Sequence, residues 1–137
     1  MAMRVEISIT DRQRILDHAA TSRHEVCGLL LGEGGRVTTV QPCANVSSAP
    51  ATRFELDPAT LIAAWRAARA GGARVIGHYH SHPTGDPRPS IVDAAEALAD
   101  GAVWIIVGAG RTEAWVAVAN GAVHGRFDPA ELVVVDG

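Results

Sequence analysis

The sequence predicts an α+β fold in which one mixed β-sheet is flanked by helices. Strand-like and helix-like segments are mixed along the chain, and two pairs of neighbouring strands are close enough in sequence to form hairpins. A regular alternation of strand and helix would instead indicate a doubly wound parallel sheet. The chain has 137 residues and no visible interdomain linker, so we expect residues 1–137 to form a single domain.

The N-terminal segment predicts a strand followed by an amphipathic helix. Residues 4–9 alternate between apolar and polar side chains, which is the period of a half-buried strand. Thr10 offers an N-cap for a helix over residues 11–22. One face of that helix carries three apolar residues, Ile15, Leu16 and Ala19. We therefore expect this helix to pack on the sheet.

A hairpin and a second helix follow. Residues 26–31 form a short apolar run that leads into a turn, and residues 36–46 are predicted to return as the partner strand. Asp57 offers the next N-cap, with Pro58 at the first helical position and a Gly-Gly stop at residues 71–72. These signals bound the second helix at both ends.

The second half of the chain predicts strands on either side of a loop rich in Pro and Gly. In order, we expect a strand over residues 74–80, a loop over 83–89, a helix from Ser90 to about Asp100 and a strand over 103–107. Residues 112–119 and 122–127 then flank Asn120-Gly121, a dipeptide that favours a type I′ hairpin turn. The three tryptophans, Trp65, Trp104 and Trp115, lie at core spacings.

Composition and charge argue against several classes of protein. The chain carries 12 Lys and Arg against 15 Asp and Glu without a basic cluster, so neither nucleic acid nor a membrane surface is a predicted partner. The longest apolar runs fall far short of the ~18 residues needed to cross a bilayer. Because the N-terminus lacks a secretory pattern, we expect a cytoplasmic protein whose Cys27 and Cys43 remain thiols.

The clearest chemical pattern is a pair of histidines at a predicted strand end. His80 and His82 alternate, so both imidazoles leave the same face of the strand, with Cα atoms roughly 6.6 Å apart. This spacing lets both rings reach one ion. Catalytic zinc sites usually take three protein ligands and leave a fourth position to water, so a third ligand is required.

Three residues are candidates for that third position. Asp93 is preferred because Ser90 caps the third helix and places Asp93 in its first turn, where the loop can fold it back towards the histidines. Asp86 lies closer to His82, in a loop broken by Pro and Gly, and remains the alternative. His78 shares the strand face but would stand about 13 Å from His82, which favours a pocket-lining role.

Glu25 is the candidate acid/base. It precedes the buried run of residues 26–31, where a partly apolar environment favours a raised pKa. A peptidase needs such a carboxylate to take a proton from the attacking water and pass it to the leaving amine. Ser90 is a candidate hydroxyl donor to the oxyanion, although Ser90 with Asp93 also fits ordinary helix capping. Cys27 is predicted to be buried beside the site, with metal ligation as the alternative.

Together these residues resemble a known motif. EVCGLLLG at residues 25–32 and HSHPTGDPRPSIVD at residues 80–93 are similar to the JAMM motif of the MPN+ (JAB1/MPN/Mov34) metallopeptidases. The resemblance implies Zn²⁺ as cofactor and roles for five side chains: ligation by His80, His82 and Asp93, acid/base chemistry at Glu25, and a hydroxyl at Ser90. No position of the motif is missing.

The resemblance also implies a fold and a substrate. The MPN/JAB fold of this family is a mixed sheet between helices, similar to cytidine deaminases. Its members cleave peptide or isopeptide bonds after the C-terminal Gly-Gly of ubiquitin or ubiquitin-like proteins. This compact chain looks more like small prokaryotic members that process sulfur-carrier proteins. Dimers are frequent among such relatives, so a homodimer is compatible with the resemblance.

Two other functions fit the sequence less well. A non-catalytic MPN scaffold, or a binding module for ubiquitin-like partners, is disfavoured because the ligand set is intact. A zinc deaminase needs a closely spaced Cys pair near a Pro, which Cys27 and Cys43 do not supply. A zinc peptidase is therefore the preferred prediction.

Overall fold

A computed structural model describes residues 3–137 of the chain. Its helices and strands follow the order β1 Arg4–Ser8, α1 Ile9–Ala20, β2 Cys27–Glu33, β3 Arg36–Cys43, α2 Pro58–Arg69, β4 Arg74–His82, α3 Ile91–Glu96, β5 Val103–Gly108, β6 Arg111–Gly121 and β7 Gly125–Val135. Strands and helices are mixed along the chain as predicted. None of the helices within residues 3–137 is long and apolar enough to cross a bilayer.

The strands form one mixed sheet that closes on itself in the order β1-β3-β2-β4-β5-β6-β7. The pairs β1–β3, β1–β7 and β4–β5 are parallel, and the other pairs are antiparallel. The predicted mixed sheet is therefore confirmed, while its closure is new. The sheet closes through β1, which pairs with β7 along its whole length. On its other side β1 meets β3 at a single residue pair, Glu6 with Arg36.

The core lies on both faces of β5, all of whose residues are buried. Val103, Ile105 and Val107 belong to one apolar cluster, which α1 covers with the fully buried Ile15. Trp104 and Ile106 belong to a second cluster, against which Ala94 of α3 packs. The His80 side of β4 shares this second face, because His78 and His80 pair with Trp104 and Ile106 across the parallel β4–β5 ladder.

Several predicted helix and strand ends were wrong, and the last strand, β7, covers Gly125–Val135 rather than residues 122–127. α1 begins at Ile9 because Ser8, not Thr10, is its N-cap, and the Ser8 hydroxyl accepts a hydrogen bond from the Asp11 amide at 3.0 Å. β4 continues beyond residue 80 to His82. α3 ends at Glu96 rather than near Asp100, because Ala97 takes an extended conformation and is buried in the second cluster.

The β6–β7 hairpin and Trp65 also differ from expectation. Asn120-Gly121 is not the turn, because β6 runs through Gly121, which pairs with Gly125. The pairing shifts register before Gly121, and the positive φ of Asn120, 57°, falls in this irregularity. Trp65 is 48% exposed, since α2 buries only Ala64, whereas the other two tryptophans lie in the core.

Candidate metal centre

The two motif histidines converge at the end of β4. The period of the strand places His80 and His82 on one face, and their Nε2 atoms lie 3.1 Å apart. His80 is fully buried, while the His82 side chain keeps 12% of its surface exposed. The pair therefore presents two ring nitrogens to a point that solvent reaches from the His82 side.

Asp93 completes a cluster of three donors. Its carboxylate oxygens lie 3.2 Å and 3.3 Å from His80 Nε2, and Oδ2 lies 3.1 Å from His82 Nε2. The start of α3 fixes this position through a capping box. Ser90 Oγ accepts from the Asp93 amide at 3.0 Å, and Asp93 Oδ2 accepts from the Ser90 amide at 2.9 Å.

The spacing of these donors suits a zinc ion. Ligand atoms at about 2.0–2.1 Å from a tetrahedral zinc stand about 3.3 Å from one another. The donor atoms of His80, His82 and Asp93 are separated by 3.1–3.3 Å. The residues therefore fit three corners of a zinc tetrahedron, with two neutral nitrogens and one anionic oxygen.

The loop after β4 orients His82. Its Nδ1 lies 2.9 Å from the backbone oxygen of Asp86, so Nδ1 carries the proton and Nε2 is the free donor to a metal. The side chain of Asp86, the competing ligand in the sequence, belongs to an exposed residue, and its backbone carbonyl contacts the histidine instead. Asp86 thus contributes to the site through its main chain.

Glu25 lies beside the cluster at the start of β2. Antiparallel pairing of β2 with β4 sets Cys27 opposite His80, which brings Glu25 to the same end of the sheet. A carboxylate oxygen of Glu25 and nitrogens of His80 and His82 lie within 4.8 Å of one another. Glu25 is only 7% exposed, and its Oε1 has no hydrogen-bond partner within residues 3–137. Such a buried, unpaired carboxylate is costly unless a ligand or substrate uses it.

The environment shifts the pKa of each group in a consistent way. Burial raises the pKa of Glu25 to about 7, opposed by the charge of His82 and reinforced by that of Asp93. This agrees with the raised pKa predicted from the sequence. Burial alone would raise the pKa of Asp93, but hydrogen bonds from His80 and His82 hold it well below its ordinary value. The site therefore pairs a permanent anion with a carboxyl group that exchanges its proton near neutral pH.

The pKa values of the two histidines are shifted in opposite directions. Burial lowers the pKa of His80 and favours its neutral, metal-binding form. Burial also acts to lower the pKa of His82, but hydrogen bonds with Asp93 and the Asp86 carbonyl outweigh it and leave this pKa raised. In the metal-free protein His82 is thus the ring that holds a proton more readily.

His78 and Cys27 lie near the site without joining the donor cluster. His78 packs on Trp104 at a ring separation of 4.2 Å and lines a cavity of about 460 Å³ on the side of α2 that none of the three donor residues lines, so its role in the pocket of the metal site stays a prediction. Cys27 is fully buried, and its Sγ lies 3.7 Å from the Ala44 oxygen. Burial raises the pKa of this thiol to about 12, so it remains a neutral core group, and Cys43 is also a free thiol as predicted.

The sequence analysis missed two residues of the site. Phe54 stacks on the His80 ring with a centroid separation of 4.2 Å and an interplanar angle of 18°. Asn45 donates to the carbonyls of Glu25 and Arg53 and accepts from the Glu55 amide. An Asn between a strand and a Ser-rich loop is a signal for local backbone capping, whereas the Phe54 contact depends on tertiary packing alone.

The chain is similar to known proteins of one family. The family described as prokaryotic homologs of the JAB domain matches residues 10–118. A desampylase of Haloferax volcanii is 36% identical over 110 residues, which cover 75% of this chain and 79% of that protein. A desampylase of Pyrococcus furiosus is 34% identical over 103 residues, covering 74% and 73%. A probable TtuB-protein conjugate cleaving protease of Thermus thermophilus is 39% identical over 71 residues, covering 51% of this chain and 48% of that protein.

Solved structures share the fold. Protein DSY2949 from Desulfitobacterium hafniense superposes with a TM-score of 0.81 at 24% identity, covering 97% of this chain and 94% of that one. AF2198, a JAB1/MPN domain protein from Archaeoglobus fulgidus, superposes with a TM-score of 0.55 at 19% identity, covering 99% of both chains. The predicted MPN/JAB fold is confirmed. Because the family match extends from α1 into β6, the chain belongs to the prokaryotic homologs of the JAB domain.

Proposed function

We propose that this protein is a zinc-dependent peptidase or isopeptidase that hydrolyses an amide bond after the C-terminal Gly-Gly of a ubiquitin-like or sulfur-carrier protein. One observation carries the proposal. Three donor atoms from two neighbouring segments lie 3.1–3.3 Å apart, and the unpaired, buried carboxylate of Glu25 faces them.

His80, His82 and Asp93 would hold the ion. When bound, Zn²⁺ supplies a water nucleophile near neutral pH, because it lowers the pKa of water from 15.7 to about 7, and it polarises the attacked carbonyl. The chain itself prepares the ligands: the Asp86 carbonyl fixes the tautomer of His82, and the capping box holds Asp93 in place.

Glu25 would move the protons. A carboxyl group whose pKa is about 7 can accept the proton of the attacking water and then deliver it to the leaving amine. Its partnerless Oε1 is free to make these contacts. Ser90 Oγ is already an acceptor for the Asp93 amide, which leaves the hydroxyl hydrogen available for the oxyanion of the attacked carbonyl.

A groove beside Asp93 is the proposed path of the substrate tail. It has a volume of about 210 Å³ and is lined on one side by the segment around Phe54 and on the other by α3 with Val92 and Glu96. The Thermus thermophilus relative, whose name describes cleavage of TtuB-protein conjugates, supports a conjugated protein as the substrate class.

The proposal is tested with a ubiquitin-like carrier that bears a C-terminal extension after Gly-Gly. The zinc-loaded wild type is expected to release the extension, and mass spectrometry measures this release. Glu25→Gln keeps the shape of the side chain but not its basicity, and should lower kcat by ~10²–10⁴-fold. Glu33→Gln, at the exposed far end of β2, is the matched control and should cleave normally.

Three results would each contradict a part of this proposal. Absence of cleavage by a wild type that carries about one zinc per chain would favour a binding module over an enzyme. Full cleavage by Glu25→Gln would leave the hydrolase but remove Glu25 from its mechanism. A wild type that retains no zinc would contradict the metal site itself.

A further inference from the structure

The loop that joins His82 to Asp93 cannot hold itself in place by strand pairing. Three of its seven residues are prolines, Pro83, Pro87 and Pro89, and each lacks a backbone N–H. Pro87 and Pro89 are nevertheless buried. Buried residues in a loop without strand pairing need hydrogen-bond partners from elsewhere in the fold.

Two side chains of the β6–β7 hairpin provide that anchoring. The indole Nε1 of Trp115, in β6, donates to the Pro87 carbonyl at 2.9 Å in a buried hydrogen bond. His124, in the turn of the hairpin, places Nε2 3.1 Å from the Pro89 carbonyl. His124 adopts a positive φ of 51°, which is uncommon for residues other than glycine.

The anchored carbonyls lie next to the groups that orient the metal donors. The Pro87 peptide directly follows Asp86, whose carbonyl accepts from His82 Nδ1 at 2.9 Å. The Pro89 carbonyl directly precedes Ser90, whose amide donates to Asp93 Oδ2 at 2.9 Å. Each anchor therefore lies within one peptide of a backbone group that hydrogen-bonds to a donor residue.

We propose that Trp115 and His124 are positioning residues for the metal centre, acting through the loop over residues 83–89. Trp115 holds the Asp86 carbonyl against His82, and His124 holds the start of α3 so that Asp93 reaches both histidines. Neither side chain is one of the donors. This inference rests on the zinc site of the proposed function and adds a long-range dependence on the hairpin.

The test measures zinc affinity rather than turnover. Zn²⁺ is titrated into the metal-free full chain in competition with a chromophoric chelator. Trp115→Phe keeps an aromatic ring but leaves the buried Pro87 carbonyl without its donor, and we expect zinc binding to weaken about tenfold, as when a group that holds a metal ligand is removed. Trp65→Phe makes the same chemical change on the exposed side of α2 and should leave the affinity unchanged.

A second pair of variants separates positioning from folding. His124→Leu removes the donor, whereas His124→Gln retains an N–H at a similar reach, so zinc affinity should fall in the first and recover in the second. The visible spectrum of bound Co²⁺ should change with Trp115→Phe. Affinities and Co²⁺ spectra equal to wild type in both Trp115→Phe and His124→Leu would overturn the inference.

The outcomes distinguish this inference from the proposed function. A wild type that binds no zinc defeats both. A wild type that binds zinc, with variants whose melting temperatures fall equally with and without zinc, leaves the peptidase intact but reduces Trp115 and His124 to ordinary structural residues.

Discussion

A small change at the end of β5 should weaken zinc binding without touching any donor residue. Gly108 packs directly against the loop over residues 83–89. A Cβ added at Gly108 would lie 2.6 Å from the carbonyl carbon of Asp86 and 2.6 Å from the Gly85 oxygen. Both are backbone atoms, so the clash can be relieved only by moving the loop or the end of the strand.

The structure sets the size of the effect. Ordinary contact begins at 3.4 Å, so relief by the loop alone requires a retreat of roughly 0.8 Å. The bond between His82 Nδ1 and the Asp86 oxygen, 2.9 Å long, would stretch to about 3.7 Å and cease to be a hydrogen bond. Loss of such a ligand-orienting contact typically costs about 10–100-fold in metal affinity. A loss of affinity of this size lowers the stabilisation of the fold by zinc by about 1.4–2.7 kcal/mol.

Thermal unfolding with and without zinc measures this difference. Gly108→Ala should lower the Tm of the metal-free protein, because overpacking costs about 1–3 kcal/mol of folding free energy. The rise in Tm that zinc produces should also be smaller, by roughly 5–10 °C. Gly35→Ala is the matched control, because its added Cβ would lie 2.3 Å from the Arg4 carbonyl, at the opposite end of β2 from Glu25. An equal zinc-induced rise in both variants would refute the reasoning.

Two further predictions concern the donors themselves. Asp93→Asn should lower zinc affinity by roughly 10²-fold or more, because it removes an anionic ligand, whereas Asp86→Asn should bind zinc normally, since only its backbone carbonyl is used. Equal affinities in chelator competition would contradict the assignment of Asp93. Because the pKa of His82 is raised in the folded chain, its protonation stabilises the metal-free fold at pH values below the ordinary pKa of 6.5. This contribution is lost as the pH rises through the folded-state pKa. Zinc binds the neutral ring, so zinc affinity should fall as the pH drops through the same range. Calorimetry in buffers of different ionisation enthalpy should detect proton release on zinc binding. A zinc affinity that is independent of pH would exclude this coupling.

The parts of the site that local patterns control were predictable. The alternation of a strand puts His80 and His82 on one face whatever the rest of the fold does. The SxxD pattern predicts a capping box, and the structure has one at Ser90 and Asp93. Both signals involve residues close in sequence, whose relative geometry depends on backbone period and hydrogen bonding alone.

The parts that depend on distant segments were not predictable in the same way. The position of Glu25 near the histidines requires the antiparallel register of β2 and β4, and the stacking of Phe54 on His80 requires the path of a long loop. The same reason explains the errors at α1 and at the hairpin. Ser8 becomes the N-cap because β1 pairs with β7 through that residue, and the Asn120-Gly121 turn moves because the partner strand shifts register.

Contacts on the opposite face of the sheet fix the register of β2 and β4 that creates the site. A slip of one residue in β4 would turn both histidines away from Asp93. Two glycines oppose such a slip. A Cβ at Gly28 would lie 2.2 Å from the ring of Tyr79, and one at Gly77 would lie 1.8 Å from the Val103 oxygen, so a residue with a side chain does not fit at either position. The Tyr79 hydroxyl is also bound to His18 Nδ1 of α1 at 2.6 Å. Because Tyr79 lies between the two histidines in sequence but faces the core, the packing of one side of β4 determines where the metal donors stand on the other.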